Sequence, residues 1–414
     1  MTSEPRRHAP PWLFGITYIP FGIVGGFVAT TMPYVTRQAG ISVESIGWFN
    51  LLTFIPPILQ FLYAPVVDLG PRRKIWLVIV AALSALCLAL AFSVPLPSQM
   101  GLFLALVVAA QMLSGLIGSC NGGLLATTLP DERRGSASGW MNAGNLGGGA
   151  LAAWVSLYLL DKKWDPSTIG MITAGMMMVP ALAALTIDEA PRVHRPAREL
   201  FGGVARGVWK VARARHGWTG ILMCMSPVGT AALINFFAGL SEDYHASPAM
   251  VAFVNGPMNG LLTAGGSLLG GWACDRMNRR VAYLISGGLT AACGLAMMAA
   301  PQQPMTYAVG VCAYLFISGL CYAAFSAVVL EAVGTAGGEA ASTQYTLFTS
   351  AGNAAIAYTG FLDTRFHKRL GVNGLLGVDA GLNLLGIVVL SVLFFVILKR
   401  RPARDDGEAR AHAA

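Results

Sequence analysis

Apolar residues run along nearly the whole chain in blocks of twenty or more, interrupted by short polar knots. A helix rising 1.5 Å per residue crosses a hydrocarbon core of about 30 Å in about 20 residues. Blocks of that length fall at 11–36, 43–67, 76–96, 100–128, 138–160, 167–187, 218–241, 247–273, 281–300, 304–330, 341–362 and 374–398. The pattern predicts an all-α integral membrane protein with twelve transmembrane helices, spans 1 to 12.

The polar knots repeat. Asp68 is followed by Arg72 and Arg73, and Asp275 by Arg279 and Arg280, at the same spacing 207 residues later. Each knot closes the second span of a set of six. "NAGNLGGG" at 142–149 returns as "SAGNAAIA" at 350–357, an offset of 208. Two matches in equivalent spans, at offsets differing by one, indicate a duplicated six-helix unit. The chain therefore divides into an N-terminal six-helix bundle (1–187), a basic linker (188–217), a C-terminal six-helix bundle (218–398) and a basic tail (399–414). The linker is expected to carry an amphipathic helix through Leu200, Phe201, Val204, Val208 and Val211, or to be a solvated connector.

Composition agrees: 55% of residues are hydrophobic and 12% charged, against about a quarter charged in soluble domains. The net charge of +8 raises the question of nucleic acid, and its distribution answers it. With twelve spans, 22 of the 28 Lys and Arg share the side of the two termini, leaving Arg37, Lys162, Lys163, Arg365, Lys368 and Arg369 opposite. That is the positive-inside signature, so both termini are expected in the cytoplasm, with lipid rather than nucleic acid as the partner. Met1–Pro10 is basic, but the apolar run after it is too long for a cleavable signal. The seven cysteines are scattered singly and the six histidines lie in loops, tails or at span ends. No metal or cofactor is expected, and no nucleophile, base and orienter fall together as an enzyme would need.

Six plus six spans with Asp-x-x-x-Arg-Arg after the second resembles the major facilitator superfamily, whose motif runs Gly-x-x-x-Asp-Arg-x-Gly-Arg-Arg. Gly271, Asp275, Arg276, Arg279 and Arg280 match it, with Asn278 at the inner glycine; Asp68, Arg72 and Arg73 match in the first half, with Ala64 and Pro71 departing. More narrowly, "FLYAPVVDLGPRRKIW" (61–76) and "LPDERRGSASGWMNAGNLGGG" (129–149) resemble the AmpG-like muropeptide permeases and the peptide and acetyl-coenzyme A transporter family, which includes siderophore importers. The resemblance implies a monomeric permease of a bacterial inner membrane, importing a small or medium organic solute by alternating access. A sensor, an assembly factor or a drug efflux pump on the same fold remains the alternative.

The knots are expected to act as gates. Asp68 would tie to the start of span 11 at Ser342 and Thr343, and Asp275 to the start of span 5 at Ser136 and Ser138, with Arg72, Arg73, Arg279 and Arg280 alongside. Polar residues at membrane depth are the candidate solute contacts: Tyr18, Gln111, Asn121, Asn145, Asn235, Asn255, Asn259, Tyr314, Tyr322, Tyr345, Thr349 and Asn353. Each of the asparagines is either a ligand contact or interhelical glue. Asn50 and Gln60 belong to the same set. No Asp, Glu, Lys or Arg falls near the middle of any of the twelve blocks, Glu331 and Asp379 lying toward ends, so the solute's contacting part is expected to be neutral or zwitterionic, and whether a proton or another ion is coupled is left open. Small residues four apart (Gly22 and Gly26, Gly118 and Gly122, Gly144 and Gly148, Gly266 and Gly270) should let helices approach closely. Pro20, Pro56, Pro57, Pro180 and Pro257 should bend them.

Overall fold

The computed structural model describes residues 9–68, 70–189, 215–334 and 341–397, and these contain helices and turns but no strand. The linker helix expected over 200–211 and the basic tail lie outside the described residues. Spans 1 to 6 are Pro11–Gln38, Val43–Asp68, Arg73–Ser93, Met100–Thr128, Arg134–Asp161 and Pro166–Thr186. Span 7 comprises Arg215–Cys224, Ala232–Asn235 and Phe237–Leu240, and span 8 runs from Pro248 to Cys274. Spans 9 and 10 are Arg279–Ala299 and Pro304–Gly334; spans 11 and 12 form Ala341–Ser391, turning a corner at Gly371 (φ 62°). Nine helices among the described residues are long and apolar enough to cross a membrane. The last counts twice because of that corner, and the interrupted spans 7 and 8 complete twelve. The chain is a multi-pass membrane protein.

Local chemistry explains where spans begin. Ser42, Asp165, Ser247 and Asn278 cap helix starts by accepting from the amides of Ser45, Thr168, Met250 and Arg280. The Ser167 hydroxyl and Thr168 amide hold the exposed Asp165 carboxyl below the usual carboxylate range. Glu189, just past span 6, accepts from the amides of Arg73 (3.0 Å) and Lys74 (3.1 Å), so a carboxylate from one end of the N-terminal half caps the start of span 3.

Glycines set which spans touch. A Cβ on Gly22 or Gly26 would overlap the span 5 backbone at Asn145 or Gly149, and one on Gly266 or Gly270 would meet span 10 at Phe316 or Leu320. Spans 1 and 5, and spans 8 and 10, are thereby packed backbone to backbone. Outward-facing Trp48, Leu62, Val179, Leu261 and Val309 are exposed, as lipid contact requires. Pro257 lies in a π-helical stretch, Val254–Met258, and a second such stretch, Phe27–Thr31, interrupts span 1.

The apolar core divides unevenly. At the end carrying Asp68, one continuous cluster joins both halves, from Phe14, Tyr18 and Leu124 to Tyr283, Ala327 and Tyr345. At the other end each half keeps its own: Phe27, Leu88 and Phe103 in the first, Phe237, Tyr307 and Leu376 in the second. The halves are fused at one end and separately packed at the other.

Candidate functional site: a cavity between the halves

Between the halves, lined in good part by members of the shared cluster, lies a cavity of about 290 Å³. Tyr18, Phe21, Gln60, Asn142 and Asn145 line it from the first half, and Ser226, Thr230, Tyr283, Tyr322, Ser326, Tyr345, Thr349 and Asn353 from the second. None of the lining residues is Asp, Glu, Lys, Arg or His. Tyr18 stacks on Phe21 with ring centroids 4.6 Å apart, and its phenol meets that of Tyr345 across the halves. The Asn142 amide donates to Ser326 Oγ (3.0 Å) and the Tyr322 carbonyl (3.3 Å). Gln60 donates to Ser119 Oγ (3.0 Å). The wall is thus aromatic surface with amide, hydroxyl and phenol groups, suited to a solute that hydrogen-bonds without formal charge.

Part of the wall is a broken helix. Span 7 runs ten residues, Arg215–Cys224, and then leaves the helical path through Gly229 (φ 62°) and Ala231 (φ 52°) before resuming. Backbone freed at membrane depth needs partners, and side chains supply them. Tyr358 donates to the Met225 carbonyl (2.7 Å), Tyr283 to the Val228 carbonyl (2.6 Å), and Asn383 Oδ1 accepts from the Gly229 amide (2.8 Å). The buried Thr230 hydroxyl has no hydrogen-bond partner among the described residues and stands at the cavity. Discontinuous helices of this kind build solute sites in transporters because their loose ends present polar groups.

Below the cavity an aspartate from each half ties it to the other. Asp68 Oδ2 accepts from the Thr343 amide (3.1 Å) and hydroxyl (2.8 Å), while Arg73 pairs with Asp68 Oδ1 (2.8 Å) and donates to Ser342 Oγ (2.7 Å). Asp275 Oδ2 accepts from the Ser136 amide (2.8 Å) and hydroxyl. Span 2 is thereby tied to span 11 and span 8 to span 5, in keeping with the duplication. Ser138 serves otherwise, donating to the Ala323 carbonyl (2.9 Å). The arginines break the symmetry. Arg279 and Arg280 lie 3.7 and 3.4 Å from Glu331 rather than on Asp275, and Arg279 also reaches the Asp131 carbonyl. Arg72 contributes its main-chain carbonyl to the first turn of span 3. Gly271 lies against Gly135 and Gly139, where a Cβ would come within 2.6 Å of the Gly135 oxygen.

Six of the twelve expected contacts meet at the cavity: Tyr18, Asn145, Tyr322, Tyr345, Thr349 and Asn353. Asn353 also donates to the Pro57 carbonyl (3.1 Å), linking spans 11 and 2. The other six lie elsewhere. Asn121 is fully buried between spans 1 and 4, accepting from Thr17 (2.7 Å) and donating to the Phe14 carbonyl (3.2 Å). Asn255 donates to Tyr307 (2.7 Å), joining spans 8 and 10. Asn259 lends its carbonyl to Thr263, Asn235 is exposed, and Gln111 is absent from the wall. Tyr314 donates to Asp379 (3.2 Å).

Two expectations are corrected. Span 7 is not one continuous helix, and Ser226 and Thr230 reach the cavity because of its break; the signal was the Pro227 and Gly229 pair inside an apolar run. Nor is the interior free of charge-bearing residues. Span 11 continues to Leu370, which puts Asp363 within it, and both Asp363 and Asp379 are fully buried.

Two six-helix halves around a polar cavity, with paired ties beneath it, form the architecture of a membrane transporter built from repeats. The sequence matches the Major Facilitator Superfamily over residues 14–360 and again over 220–413, and the chain belongs to that superfamily, whose members are transporters. No curated protein matches it closely enough to be counted. Solved structures share the fold: the human organic anion transporter MFSD10 (TETRAN), at 16% identity, covering 92% of this chain and 100% of that one with a TM-score of 0.63; and the transporter FucP in the outward conformation, at 14% identity, covering 93% and 98% with a TM-score of 0.68. A variant of the E. coli fucose:proton symporter FucP is similar at 16% identity, covering 92% and 97%, with a TM-score of 0.67. At these identities the likeness concerns the fold alone.

Proposed function

We propose that this chain is a secondary transporter that moves a neutral or zwitterionic organic solute by alternating access, and that the structure is its outward-facing state with the Asp68 end in the cytoplasm. The observation that carries this reading is the uneven core, continuous across the halves at the Asp68 end and separate at the other, with an uncharged polar cavity between. Rocking the halves would break the Asp68 and Asp275 ties and expose the same cavity to the opposite side. Of the two knots, Asp68, Arg73, Asp275 and Arg279 reach the opposite half and would act as gates. The volume lies at the small end of ligand pockets, about 300 to 1,000 Å³. It favours a small solute, or the compact end group of a larger conjugate such as the AmpG-like resemblance implies.

A thermal-stability screen of the purified protein against neutral sugars, small peptides, sugar–peptide conjugates and organic anions tests the solute class. A neutral or zwitterionic compound is expected to stabilise the protein, and Asn145→Ala combined with Thr349→Ala to weaken that compound by about 1 to 3 kcal/mol. Stabilisation by anions alone would overturn the class.

Orientation rests on where the described cations gather: Arg72, Arg73, Lys74, Arg133, Arg134, Arg276, Arg279 and Arg280 at the Asp68 end. In a background lacking the seven cysteines, a cysteine at the exposed Met277 is expected to react with an impermeant thiol reagent only from the cytoplasm. One at Lys162 should react only from outside. The reverse pattern would invert the assignment.

A further inference from the structure

In the C-terminal half, away from the cavity, two carboxyl groups are buried without a cation. Asp363 lies about two turns before the Gly371 corner and Asp379 about two turns after it, and both are fully buried. Among the described residues, both oxygens of Asp363 and Oδ1 of Asp379 have no hydrogen-bond partner. Asp379 Oδ2 accepts from the Tyr314 hydroxyl (3.2 Å), with the Asn383 amide at 3.4 Å. The two carboxyl groups act on each other electrostatically. Among the described residues no Lys, Arg or His makes an ion pair with either: Arg365, Lys368 and Arg369 are exposed on the far side of span 11, two, five and six residues on in a helix of 3.6 residues per turn. Other described titratable groups in this part of the half are Tyr307, Tyr314, Tyr322 and Cys312 on span 10, Cys293 on span 9, Tyr244 after span 7 and the half-buried His367 one turn outward on span 11.

Two ionised carboxylates cannot share a dry site within the bilayer without a counter-ion, and the resident groups supply none. One atom path leads from this site to the cavity. The Asn383 amide nitrogen contacts Asp379, and its carbonyl oxygen accepts from the Gly229 amide in the broken stretch of span 7 that lines the cavity.

We propose that Asp363 and Asp379 form a proton site in which both carboxyl groups are protonated at rest and the proton on Asp379 exchanges, and that Asn383 passes its occupancy to the solute cavity through the broken part of span 7. The coupling role rests on the transporter reading above; the proton site does not. With the proton bound, Tyr314 and Asn383 face a neutral acid and the pair is stable as buried. When the proton leaves toward an opened side, the charge on Asp379 draws the Asn383 amide and loads its contact with Gly229, so the cavity wall changes with protonation.

The test uses the full chain in liposomes with no solute. Infrared difference spectra across a pH titration are expected to show a protonated carboxyl signal that disappears as pH rises. The signal should be absent from Asp363→Asn combined with Asp379→Asn, a pair of neutral substitutions that imitate the protonated form. Hydrogen exchange of the peptide spanning Met225–Ala231, corrected for intrinsic pH dependence, should change by several-fold over the same range in the natural chain and stay flat in the double variant and in Asn383→Leu. No protonated carboxyl at any pH would overturn the site, as would a signal displaced by sodium at constant pH, which would make the ion an alkali cation. A carboxyl titration with unchanged exchange in span 7 would overturn the link. A protein that binds no solute but passes both measurements would overturn only the transporter reading.

Discussion

Asp68→Asn together with Asp275→Asn is expected to shift the resting population from closed to open at the Asp68 end. Each aspartate accepts a main-chain amide and a hydroxyl from the opposite half, and hydrogen bonds to a charged group are worth about 1.5 to 3 kcal/mol. Losing the charge from both would move the balance by about 3 kcal/mol, a change of roughly 150-fold in the population ratio. Asp68 carries a second effect. Its partner Arg73 is 3% exposed, and Asn at position 68 would take the carboxylate out of that buried pair, a destabilising change. Adding Arg73→Gln should therefore restore stability without restoring closure. Spin labels at Gly70 and Met277, one in each half at that end, report the distance. An unchanged distribution in the double variant would sink the gating role.

Gly229→Ala is expected to lower the apparent melting temperature sharply. At φ 62° an L-residue pays about 1 to 2 kcal/mol, and its Cβ would overlap Cys321 Sγ in the fully buried contact with span 10, adding about 1 to 3 kcal/mol of overpacking. The two contributions separate experimentally. Cys321→Ala removes the sulfur and leaves Cys321 Cβ at 3.1 Å, so the double variant should recover the packing part and keep the backbone part. A double variant no better than Gly229→Ala alone would show that the conformation of the break, not its contact with span 10, is what the substitution disturbs.

Both variants probe features that differ in how far the sequence discloses them. Asp68 and Asp275 are visible because duplication repeats them at equal spacing, and the start of a neighbouring span is the one place where a buried carboxylate finds free amides. The partners are only half visible. Thr343 and Ser136 lie in the expected stretches, but nothing in the spacing tells that Arg73 turns to Asp68 while Arg279 and Arg280 turn to Glu331. Those choices depend on side-chain directions across the interface.

The solute cavity shows the same division. Asn145, Tyr345, Thr349 and Asn353 are polar at membrane depth and line the wall, yet Asn121 and Asn255 are equally polar and are spent on joining helices. An amide reads alike in sequence whether its partner is a solute or a carbonyl. Ser226 and Thr230 enter only because span 7 breaks, and a hydropathy sum over twenty residues averages Pro227 and Gly229 into an apolar block.

What the sequence by itself determined is whatever depends on run length, composition and repetition: twelve spans, two related halves and the basic end. These follow from the cost of putting polar backbone and charge in hydrocarbon, which each segment bears regardless of its neighbours. The tertiary structure alone decided which faces meet. "DTRFHKR" at 363–369 reads as a charged loop, because three cations outweigh one aspartate in any linear average. Folded as the end of span 11 farthest from Ser342, the same residues leave Arg365, Lys368 and Arg369 exposed and bury Asp363. A helix turn separates neighbours in sequence onto opposite faces, and only packing against spans 10 and 12 determines which face is dry.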